Sequence, residues 1–157
     1  YGEREPFSWA GDGERASVPV SAFPNEAGHW HYVALGARDV IGHELTFRLA
    51  APVGDGPAPA WPVELLRRLA RHALGCERPI GDGQYVCFEE PLDPDGTVRC
   101  VAIVEDPQLP DAWQLVGLHE DELVFMSEDE HDRFLGRLRE REPLLVTKLA
   151  RGPVRLD

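Results

Sequence analysis

Apolar and polar side chains alternate with period two from Glu44 to Leu49. Leu45, Phe47 and Leu49 point one way, and Glu44, Thr46 and Arg48 the other, which predicts a strand. The pattern breaks between Pro52 and Ala60, where Gly54, Gly56, Pro57 and Pro59 oppose regular structure. From Pro62 the period lengthens to that of a helix. Leu65, Leu66, Leu69, Ala73 and Leu74 share one face, while Arg67, Arg68 and Arg71 fall mainly on the other. Pro62 suits a first helical position, because its φ is fixed and it has no N–H to leave unbonded. Gly75 is expected just past the helix end. This strand and the helix that covers it are the best-specified part of the core.

Upstream, residues 1–28 read as irregular, with a short strand possible between Ala16 and Phe23, where Pro19 would favour an edge. His29 to Gly36 is rich in aromatic and β-branched residues and predicts a strand with Trp30, Tyr32 and Ala34 on its core face. His29 and His31 would then face solvent. Gly36 to Gly42 reads as a turn. Downstream, Gln84–Glu89 and Val98–Val104 read as the strands of an antiparallel hairpin, joined through a Pro94-Asp95-Gly96 turn in which Gly96 supplies positive φ. The nearly unbroken apolar run of Val98–Val104 suggests a strand buried on both faces. Trp113–Leu118 is a further strand. Ser127 and Glu130 form a capping box for a helix carrying Phe134, Leu135 and Leu138 and ended by Pro143. Leu144–Leu149 and Val154–Leu156 read as closing strands. Strands with short connections and few helices predict an α+β fold: a mostly antiparallel or mixed twisted sheet with two main helices packed on it.

Length and charge narrow the class. A chain of 157 residues fits one domain spanning 1–157. No apolar run approaches the ~20 residues of a membrane span, so no membrane partner is expected. The start, Tyr1-Gly2-Glu3-Arg4, resembles neither a signal peptide nor an initiator Met and reads as a trimmed chain or a domain taken from a longer one. A net charge of −12 argues against nucleic acid, whose phosphates it would repel, and would speed encounter with a basic protein. Only Lys148 of the sixteen basic residues is a lysine, a bias that GC-rich coding produces. Cys76, Cys87 and Cys100 are odd in number and lack CxxC spacing, so they are expected to be free thiols in a reducing, cytoplasmic setting.

Catalytic machinery is not evident. The HxH pair at His29 and His31, even with His43, lacks a placed third ligand, so no metal is expected. No GxSxG nucleophile and no phosphate-binding glycine loop occurs, and no cofactor is expected. Glu105-Asp106 follows a buried strand and allows three readings: a solvated turn, contact residues for a partner, or a hydrolase-type acid pair. Glu120-Asp121-Glu122 and Glu128-Asp129-Glu130 add a second acidic cluster, read as helix capping and solubility or as a contact patch.

Six segments carry a resemblance: HWHYVALGARDV (29–40), HELTFRL (43–49), PAWPVELLRRLARHAL (59–74), VEDPQL (104–109), WQLVGL (113–118) and TKLARGPVRLD (147–157). In this order and spacing the chain resembles the suppressor of fused domain family; residues 1–28 match loosely. The resemblance implies a non-enzymatic protein-binding domain. Animal members restrain Gli-type transcription factors, and some short bacterial members are inferred to be immunity proteins that neutralise polymorphic toxins. The expectation is therefore a bacterial immunity protein with a basic toxin domain as partner. Alternatives are a regulatory or scaffold domain of a larger bacterial protein and, more remotely, a hydrolase using Glu105 and Asp106. By the same resemblance, a Tyr and an Asp that clasp the transcription-factor peptide in animal members correspond to His72 and Gln84, with Asp82 able to replace the Asp. His72, Asp82, Gln84, Glu105 and Asp106 are the candidate partner-binding residues.

Overall fold

A computed structural model describes residues 7–11, 17–54, 56–126, 130–149 and 152–153. Its strands are β1 (Phe7–Trp9), β2 (Val20–Asn25), β3 (His29–Ala34), β4 (Glu44–Ala50), β5 (Tyr85–Cys87), β6 (Cys100–Glu105) and β7 (Ala112–Leu118). Its helices are α1 (Ala37–Ile41), α2 (Trp61–Gly75), α3 (Leu123–Met126) and α4 (His131–Arg141). The seven strands form one sheet in the order β1-β2-β3-β4-β7-β6-β5. Every neighbouring pair is antiparallel except β4 and β7, which are parallel. The mixed, mostly antiparallel sheet is thus as the sequence implies. The two main helices are α2 and α4, with the short α1 and α3 beside them.

The sheet is covered on both faces, so strand alternation sorts side chains between two cores. Leu45, Phe47 and Leu49 of β4 join Trp30, Tyr32, Val101, Ile103 and Leu115 beneath Leu65, Leu66 and Leu69 of α2. The opposite parity of β6 and β7 supplies Ala102, Val104 and Val116, packed with Phe134, Leu135 and Leu138 of α4. Burying each of these large side chains fully is worth about 1.5–3 kcal/mol. The loop before α2 is pinned to the first core by the polar ends of two buried aromatics: Trp30 Nε1 donates to the Pro52 carbonyl at 3.2 Å and Tyr32 Oη to that of Pro59 at 2.5 Å.

Several expectations are corrected. His29 and His31 are buried, because the second face of the sheet is covered too. Gly75 is the last helical residue, and the chain leaves through an extended Cys76. Gly36–Gly42 encloses α1, and β1 lies within the stretch read as irregular. β1 also pairs outside β2, so the Pro19 segment is not at the edge. Residues 144–149 form no strand: Leu145 takes a φ of 52°, which interrupts any extended run, and only Thr147 bridges to Leu49. The Ser127 cap and the Val154–Leu156 strand lie outside the described residues. A capping box is seen eight residues earlier, at the start of a 3₁₀ turn (Glu120–Glu122), where the His119 N–H donates to Glu122 Oε1 at 2.8 Å.

The cysteines are the largest correction. Cys87 and Cys100 face each other across the β5–β6 pair and form a disulfide; Cys76 is the free one. With Cys87 and Cys100 bonded, the cysteines no longer point to a reducing compartment. Among the described residues no helix is long and apolar enough to cross a membrane.

Candidate functional site

The sheet ends at β5, and this end is open. Ile103 N–H donates to the Gln84 carbonyl at 2.8 Å and Phe88 N–H to that of Arg99 at 2.9 Å. With period two, this makes Val86–Val101 the hydrogen-bonded pair between them and turns the N–H and C=O groups of Tyr85 and Cys87 away from β6. Such an edge is a template for another strand. Beside it runs an open groove of about 770 Å³. One wall is the end of α2, with His72, Cys76, Glu77 and Arg78; the other is Ile80, Gly83, Gln84, Tyr85 and Val86, with Met126 of α3. Tyr85 is 40% exposed, a large amphipathic ring at the rim. Gly83 takes a φ of +84°, and a Cβ there would lie 3.0 Å from the His131 ring, so the loop that enters β5 needs a glycine at this turn.

The five candidate residues separate. His72 and Gln84 line the same groove, although they are 12 positions apart in the chain. Gln84 also closes its own loop, its Oε1 accepting the Gly81 N–H at 3.1 Å. Asp82 lies in that loop, exposed, and its Oδ1 accepts the Glu105 N–H at 3.1 Å. Glu105 is exposed at the end of β6. Asp106 turns inward.

Asp106 anchors a buried polar network on the second face of the sheet. Its Oδ2 accepts from Thr46 Oγ1 at 2.5 Å and from Arg48 Nη1 at 3.0 Å, and its Oδ1 from Arg48 Nη2 at 3.1 Å. The Gln108 and Leu109 backbone N–H groups, at 2.8 and 2.9 Å, also reach Oδ1. Arg48 further donates to Gln114 and Gln108, and His31 Nε2 lies 3.6 Å from Asp106 Oδ2. Burial alone would raise the Asp106 pKa, but the bonds from His31, Arg48 and Thr46 carry it well below the usual carboxylate range. Burial lowers His31, partly offset by Asp106, and lowers His29, with the Arg48 charge adding to it. Asp106 thus serves as the buried counter-ion of Arg48, while Glu105 stays at the surface; both residues border a second hollow of about 190 Å³. Asp106 also leaves the set of surface contacts.

Sequence reasoning missed Tyr85, Cys76 and Met126 at the groove. A short strand carrying an aromatic and a cysteine was the one signal available.

The family model for "Suppressor of fused protein (SUFU)" matches residues 15–152. The chain belongs to the suppressor of fused family. This family is one of protein-interaction and regulatory domains, and the match reaches further toward the N-terminus than the motifs at 29–157 do. Suppressor of fused homologs from Homo sapiens and Mus musculus are each 27% identical over 182 aligned residues, covering 96% of this chain and 37% of their own length. The chain thus spans little more than a third of these relatives. Among solved structures, a chain of the Sufu–Fu complex superposes with a TM-score of 0.76 at 22% identity, covering 94% of this chain and 84% of that one. A suppressor of fused homolog from Neisseria gonorrhoeae superposes with a TM-score of 0.70 at 17% identity, covering 98% and 88%. At these identities the superpositions show the shared fold.

Proposed function

We propose that this suppressor of fused domain is a non-enzymatic binding module that takes an extended segment of a partner protein along the open β5 edge and its groove. The observation that carries this reading is the juxtaposition of outward main-chain groups at Tyr85 and Cys87 with the groove between the α2 end and α3. Main-chain pairing supplies affinity in such strand addition, and flanking pockets supply selectivity. Exposed Asp82, Glu89 and Glu90 flank β5 in the chain, and Glu77 lines the groove beside Arg78; this net acidic surround favours a basic segment. A bacterial immunity protein that occludes a basic toxin domain is the specific role that fits this charge.

Co-expression with a toxin domain encoded beside this gene is expected to restore growth, and the two proteins are expected to co-purify. Failure of both would exclude the immunity role. The second reading, a regulatory module of a longer protein, is favoured by the length of the human and mouse homologs, of which this chain covers 37%. Binding to another domain of the same reading frame, with no protection from the toxin, would select it.

A further inference from the structure

We infer that the Cys87–Cys100 disulfide is an exchange site for dithiol reductants and that its reduction releases the β5 wall of the groove. The inference rests on the binding reading only for its consequence, since the strand itself can be measured without a partner.

β5 is only three residues long and lies at the sheet edge, paired to β6 alone. Its own side chains bury little: Tyr85 and Cys87 are exposed and Val86 is half-buried. β6 is the opposite, with Cys100, Val101, Ala102, Ile103 and Val104 all buried. The covalent bond therefore ties a weakly packed edge to a firmly packed interior strand. Elements with few buried contacts are the ones that open locally.

The two sulfurs also differ in access. Cys87 is exposed, while Cys100 is 5% exposed within the α4-side core. A thiolate of a small dithiol, or of a thioredoxin-type protein, reaches Cys87 Sγ. The Cys87–Cys100 S–S bond breaks, and its electron pair leaves on Cys100 Sγ, which takes a proton. The reductant's second thiol then attacks the mixed disulfide on Cys87, leaving as a disulfide itself and releasing Cys87 as a thiol. The net change is two electrons and two protons into the protein and one disulfide formed in the reductant. Cys100, once a thiol, remains a small apolar filler among Ala102, Val116 and Leu118, so the core has no reason to open with the edge.

Amide hydrogen exchange on the full chain, oxidised and after dithiothreitol, tests this, with the mass gain of two hydrogens confirming reduction. The Val86 and Phe88 amides, which face β6, are expected to exchange at least ~10-fold faster in the reduced protein, while β3 and β4 amides keep their protection. Cys87→Ser is expected to show the fast pattern without reductant. Equal β5 exchange in both states would overturn the inference. So would resistance to dithiothreitol in the folded state, or protection lost across the whole sheet on reduction.

Discussion

The Arg48 guanidinium is wholly enclosed in the sheet's second layer, and its charge is tolerable only because Asp106 meets it there. Asp106→Ala leaves that charge buried without its counter-ion, which is expected to cost about 3–5 kcal/mol, a large share of the roughly 5–15 kcal/mol of a whole domain. The double variant Arg48→Met with Asp106→Leu is expected to lose less than Asp106→Ala alone, measured by urea denaturation. The neighbouring histidines add an acid sensitivity. His29 and His31 bind protons more readily in the unfolded chain, so stability is expected to fall as pH drops below about 6.5. The slope is at most about 1.4 kcal/mol per pH unit for each histidine. Asp106 acts in the same direction at lower pH, its contribution being complete above 3.8 and lost below. His31→Asn is expected to flatten the slope between about pH 5 and 7, read from melting temperatures across that range. The strand period put Arg48 and His31 on the faces they occupy, but it could not say that those faces are covered. The polar pattern that looks solvated in one strand is a buried network once Gln114 and the Gln108 loop close over it.

Thr147 fills the place where β4 and β7 part. The two strands pair in parallel only from Glu44–Ala112 to Phe47–Leu115. Beyond that, Thr147 N–H donates to the Arg48 carbonyl, the Ala50 N–H donates to the Thr147 carbonyl, and Gly117 N–H donates to Thr147 Oγ1 at 3.0 Å. A Cβ on Gly117 would sit 2.8 Å from Thr147 Cγ2 and 3.4 Å from Val98 Cγ2. Gly117→Ala is expected to destabilise by about 1–3 kcal/mol through overpacking. Adding Thr147→Ser, which removes the methyl group and keeps the hydroxyl, should recover much of that in thermal melts. The apolar letters of 144–149 read as a strand, yet the segment is a wedge, and nothing local announces the positive φ at Leu145. Where chemistry is local, the reading was better. Gly96 does supply the positive φ of its turn, at 72°, and the apolar faces of α2 and α4 are the buried ones. The disulfide was not legible: an odd number of cysteines without CxxC spacing reads as free thiols, and only the β5–β6 register, which sets Cys87 opposite Cys100, brings the two sulfurs together.

At the scale of the molecule, an acidic domain presents one edge of its sheet uncovered beside a groove that joins residues 72 and 84. The family was readable from segments such as 43–49, 59–74 and 113–118, which supply much of the core, whereas the groove is built from a helix end and a loop whose meeting is set only by the tertiary fold. Tyr85→Pro removes an outward N–H without touching the ladder to β6. It is expected to change stability by no more than about 1 kcal/mol, as edge positions tolerate proline, while weakening partner binding at least ~10-fold in calorimetry. In an amide NMR titration of the oxidised domain with the proposed partner, a toxin domain encoded beside its gene, the largest shifts are expected on Tyr85, Cys87 and the α2 end at His72–Cys76. Shifts confined to β1 or to the α4 surface, with β5 unmoved, would contradict binding at this edge.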